Sequence, residues 1–70
     1  MSEYVVIYEE APGGGRGAYL PDLPGVVAIG KTREEVGTRI EEVLGAYADE
    51  MQQQGQALPP PVHRAATLRV

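Results

Sequence analysis

Cysteine is absent from this chain, and so are tryptophan and phenylalanine. No disulfide can staple it and no thiolate can hold a metal. Histidine occurs once, as His63, with no second ligand beside it in the sequence, so neither a metal nor another cofactor is expected. Cations are scarce: six Lys and Arg stand against ten Asp and Glu, a formal net charge of −4. That is the wrong sign for tracking a phosphate backbone, which needs Lys and Arg to neutralise it, so direct nucleic-acid binding is not expected. It is a suitable sign for meeting a basic protein. No apolar run approaches the length that spans a bilayer. The N-terminus, MSEYVVIYEE, has neither the basic flank nor the apolar run of a signal peptide. The expectation is a soluble, cytoplasmic protein away from membranes.

The 70 residues are read as one domain, 1–70. A chain this short buries only about 60% of its unfolded surface and usually needs a disulfide, a metal or a partner subunit. With the first two excluded, a homo-oligomer, dimer or tetramer, is the expected support.

The chain is organised around residues 19–55, a strand, a tight turn, a second strand and one amphipathic helix. Before it, Tyr4 to Tyr8 is β-branched and aromatic, which favours a strand. Alternation puts Val5 and Ile7 on one face and Tyr4, Val6 and Tyr8 on the other. Both faces are apolar, so this strand is expected in the centre of the sheet. Glu9 to Gly17 is rich in glycine. It lacks the G-K-[S/T] continuation of a phosphate cradle, so it is read as a hairpin connection and Arg16 as part of it.

Ala18 to Leu20 is a short strand ended by Pro21, which has no N–H for a ladder. Pro24-Gly25 fits the centre of a type II turn, where proline pre-sets φ and glycine accepts a positive φ. Asp22 is a habitual turn residue, able to bond the backbone ahead of it. No second carboxylate lies near it in sequence to make a catalytic pair or a metal site. Leu23 is expected to tuck beneath the turn as a plug. Val26 to Ile29 forms the third strand, ended by Gly30.

Thr32-Arg33-Glu34-Glu35 is a capping box, with the Thr32 hydroxyl on the Glu35 N–H and the Glu35 side chain reaching back. The helix is expected from Thr32 to Gln54, with Val36, Ile40, Val43, Leu44, Tyr47 and Met51 as its apolar stripe. Glu35 and Arg39 are spaced for an i,i+4 ion pair. Gly55 suits the residue after a helix, and Pro59-Pro60-Pro61 cannot continue one. Ala66, Leu68 and Val70 then alternate with Thr67 and Arg69, the pattern of a half-buried strand.

The expected fold is α+β, in the order β-β-β-α-β. A right-handed crossover would place the last strand parallel and beside the first. The result is one mixed four-stranded sheet, order 3-2-1-4, with one long helix on one face. Tyr4, Tyr8 and Tyr19 are candidates for a subunit interface, where tyrosine is enriched; the alternative is that they complete the core.

Three groups of residues in this order carry a resemblance. They are Tyr19-Leu20-Pro21-Asp22-Leu23-Pro24-Gly25, then Gly30-Lys31-Thr32 with Glu34-Glu35, and last Gly55 with the prolines from Pro59. The pattern resembles the HicB antitoxin family over nearly the whole chain. The resemblance implies a truncated ribonuclease-H-like fold without catalysis. It implies a function in binding a small basic mRNA-cleaving toxin, HicA-like, and covering its active surface. The alternative is an orphan domain of the same fold that self-associates and has no toxin. Many members add a C-terminal DNA-binding segment; none is expected up to Val70, so the resemblance does not extend to repression of an operon. Ribonuclease-H chemistry needs carboxylates converging on two metals. The first strand offers Val5, Val6 and Ile7 instead, so no enzyme activity is expected.

Overall fold

The computed structural model describes residues 3–70. Three strands and one helix form in the order β1 (Ile7–Glu10), β2 (Arg16–Tyr19), β3 (Val27–Gly30) and α1 (Arg33–Gln53). The strands make an antiparallel meander, β1-β2-β3. Ile7 pairs with Tyr19 and Glu10 with Arg16; Arg16 in turn pairs with Gly30, and Tyr19 with Val27. The hairpin between β1 and β2 closes through residues 11–15, with the Ala11 N–H donating to the Gly15 carbonyl at 2.6 Å. Arg16 and Glu10, opposite one another, form an ion pair at 3.0 Å. Arg16 is thus engaged by its own hairpin.

The Leu20–Val26 connection is two turns in succession. The Leu23 N–H donates to the Leu20 carbonyl and the Val26 N–H to the Leu23 carbonyl, each at 3.1 Å. Gly25 has φ +97°, the value that the third position of a type II turn demands and that a Cβ would strain. The fold of this loop drives Leu23 inward until it is fully buried, together with Leu20, Val26 and Val36. These four, with Ala18, Ala28 and Ile40, are the core.

Thr32 caps α1 in extended conformation, its hydroxyl accepting from the Glu35 N–H at 3.1 Å. The reciprocal half of the capping box is replaced. The Glu35 carboxylate turns to Arg39 at 3.0 Å, and Arg39 also donates to the Ile29 carbonyl at 2.7 Å. The far end closes as a Schellman motif: Gly55 has φ +72°, its N–H reaches the Gln52 carbonyl, and the Gln56 N–H reaches that of Met51. Val36 and Ile40 are buried, and Val43, Leu44 and Tyr47 pack partly against the core. The 21-residue helix is about 32 Å long. Four-residue strands reach about 13 Å, so the helix overruns the sheet.

The structure overturns the four-stranded mixed sheet and, with it, the truncated ribonuclease-H-like description. The sheet has three strands, all antiparallel, and β1 lies at an edge with β2 in the centre. Ala66 to Val70 forms no strand, and residues 62–70 are exposed. The cause is where the returning chain is tied. The Tyr4 hydroxyl donates to the Pro59 carbonyl at 2.5 Å, and His63 is bound to Asp22 on the β2–β3 turn. From that turn to the outer edge of β1 is about two strand spacings, ~10 Å. The chain thus leaves His63 at the β2–β3 turn, away from the outer edge of β1, and residues 64–70 pair with no strand.

Candidate functional site

Two places on this fold gather side chains beyond what the core needs. The first is the outer face of the sheet. Alternation puts Tyr8, Ala18 and Ala28 toward the helix, so their neighbours Ile7, Tyr19, Val27 and Ile29 point the other way. No element of the chain covers that side among the described residues. Val27 is 57% exposed and Ile29 75% exposed, with Tyr19 beside them at 38%. Glu9 is the charged residue of β1 on this face. The surface is therefore an exposed apolar patch on an acidic molecule.

The second place is a clamp between Asp22 and His63, 41 residues apart in the chain. The His63 backbone N–H donates to one carboxylate oxygen of Asp22 at 3.2 Å. His63 Nδ1 lies 2.6 Å from the other oxygen. The ring can donate there only with hydrogen on Nδ1. The Asp22 side chain is 3% exposed, whereas that of His63 is 55% exposed. Removal of water pushes the Asp22 pKa up. Hydrogen bonds from the His63 ring and from the backbone of His63 and Val62, with the charge of His63, outweigh it, and the net shift is downward. The carboxylate is thus held in its charged form. It turns to the C-terminal segment instead of bonding the backbone of its own turn. Among the described residues no group of three His, Cys, Asp or Glu is placed to hold a metal ion.

A wide cleft of about 750 Å³ opens between the β1–β2 hairpin and the start of α1. Arg16, Lys31 and Arg39 line it, but so do Glu9, Glu10 and Glu35. With Arg16 on Glu10 and Arg39 on Glu35, the cleft has no surplus of positive charge for an anion.

The three tyrosines do not share a surface. Tyr4 packs against the core. Tyr8 lies on the helix side of β1, with the Arg33 guanidinium 4.3 Å from its ring centre, a cation–π contact. Tyr19 is on the outer face. Pro21, Asp22, Leu23, Pro24 and Gly25 form the double turn, and Thr32 and Glu35 the helix start. Alternation within one strand puts Val27 and Ile29 on a shared face, but Ile7 and Tyr19 join them only through cross-strand pairing; the Asp22–His63 contact has no sequence signal, because nothing local joins the two. No helix among the described residues is long and apolar enough to cross a membrane. No protein-family model matches the chain, and no curated protein matches its sequence.

Proposed function

We propose that this protein is a non-catalytic protein-binding module of the antitoxin type, resembling HicB antitoxins, that covers the active surface of a small basic RNA-cleaving protein in the cytoplasm. The observation that carries the reading is the uncovered apolar face of Tyr19, Val27 and Ile29 on a chain of net charge −4. Apolar centre and acidic surround suit a basic partner: burial of the face supplies affinity, and the charge supplies steering and choice of partner. The motif Pro21-Asp22-Leu23-Pro24-Gly25 followed by the Thr32-capped helix supports the same family reading.

Co-expression with the adjacent reading frame tests it. A short basic product should co-purify with this chain and lose its toxicity. Ile29→Asp, at a position 75% exposed, should abolish co-purification and leave the helical circular-dichroism signal intact. A neighbour that is neither basic nor retained would sink the proposal. A second reading, an orphan self-associating domain without a toxin, draws on the exposure of Leu68 and Val70 in the C-terminal segment; its mark is a homo-oligomer of the chain alone.

A further inference from the structure

We propose that residues 64–70 act as a strand in trans, laid along the open edge of β1 in a second copy of this chain. Four observations lead there. The first is the segment itself. Ala66, Leu68 and Val70 alternate with Thr67 and Arg69, yet Leu68 is 94% exposed and Val70 fully so. No backbone hydrogen bond is made by residues 64–70 among the described residues. A strand pattern with its apolar side chains in water is short of a sheet to join.

The second is the choice of edge. The Leu20 N–H donates to the Val26 carbonyl, so alternation turns the main-chain groups of Ala18 and Ala28 toward one another and those of Ile29 outward. The outward Ile29 carbonyl is taken by Arg39 at 2.7 Å. Arg39 thus obstructs the β3 edge at Ile29, while the outward groups of Val27 on that edge stay open. On β1 the same alternation turns the groups of Tyr8 and Glu10 outward, and no side chain meets them among the described residues. Edge strands left in this state accept a further strand.

The third is the space beside β1. Ahead of the first residue of β1, a hollow of about 440 Å³ lies between Tyr4, Leu44, Gly45, Ala48 and Leu58, with Glu41 at its rim. A Cβ at Gly45 would meet nothing within 4 Å. A strand that runs along β1 and on past Val6 to Tyr4, with Leu68 toward the helix, would put apolar side chain into that hollow. The fourth is charge. Residues 62–70 carry Arg64 and Arg69 and none of the ten carboxylates, while Glu9 and Glu41 beside the edge have no ion-pair partner among the described residues. With His63 clamped to Asp22 the segment does not lie along its own β1. It can meet the β1 of another copy without breaking the clamp, and that selects a second copy as the occupant.

The test uses this chain alone, so its outcome is separate from that of the toxin-binding reading. Sedimentation velocity should show a dimer at micromolar concentration. Leu68→Asp changes a side chain already in water in the single chain and should weaken the dimer by about tenfold or more, through loss of an apolar anchor. Because the protein has no cysteine, Ile7→Cys and Thr67→Cys, both on the outer face in this arrangement, can be placed in separate molecules and mixed. Oxidation should then give the crosslinked pair. A monomer up to about 100 μM, beyond the range of a specific dimer, would overturn the proposal. So would a dimer indifferent to Leu68→Asp. So would a doubly substituted chain whose disulfide forms only within one molecule.

Discussion

Replacing Leu23 by alanine asks whether the turn plug holds this fold together. Leu23 has no exposed surface and sits among Leu20, Val26, Val36 and Ile40. Leu→Ala at such a site removes the transfer energy of the side chain and leaves a cavity, about 2–5 kcal/mol together. The plug is held by two consecutive turns with a proline and a positive-φ glycine, so the backbone has little room to collapse into the space. A cost of about 3 kcal/mol is therefore expected. A 70-residue chain has about 4–10 kcal/mol of total stability. The loss would lower Tm by roughly 12–24 °C. Urea and thermal unfolding followed by circular dichroism measure it. Ile29→Ala is the control: at 75% exposure it should stay within about 0.5 kcal/mol of the parent at dilute concentration. A cost for Leu23→Ala below about 1 kcal/mol, the average for an ordinary substitution, would refute the reasoning. A cost for Ile29→Ala that equals it would do the same.

Thr32→Ala removes the hydroxyl that accepts from the Glu35 N–H and should lose about 1 kcal/mol of stability, read as a shift in urea midpoint with unchanged slope. Gly45→Ala should gain about 1 kcal/mol by helix propensity, since its added Cβ meets open space; Gly25→Ala, at φ +97°, should instead destabilise by more than about 1 kcal/mol. For the clamp, the lowered pKa of Asp22 fixes the sign. Its contribution is complete above the ordinary value of 3.8 and is lost as pH falls through the depressed native value. An acid titration of the His63 amide proton by NMR should show that release, and Asp22→Ala should speed tryptic cleavage after Arg64 at neutral pH.

Much of the local structure was legible because its causes are local. The helix runs Arg33–Gln53 with Thr32 and Gln54 as caps, against an expected span of Thr32 to Gln54. Thr32, Gly55 and the apolar spacing each act within a few residues. The same holds for the Pro24-Gly25 turn and the Leu23 plug. The strands shifted by up to three residues: β1 starts at Ile7, not Tyr4, because pairing with β2 defines it and β2 reaches only to Tyr19. The fourth strand failed for a different reason. Ala66 to Val70 has the right alternation, but alternation says only that one face wants cover, and not which edge supplies it.

Residue order alone determined an acidic, cysteine-free chain with four β-prone runs, one capped helix and a buried turn. Those follow from propensities, charges and backbone preferences that each residue brings with it. Only the tertiary structure decided that β2 is central, that Ile7, Tyr19, Val27 and Ile29 form one uncovered face, and that Asp22 holds His63 from 41 residues away. Those depend on distances across space, and a pattern along the chain does not contain them.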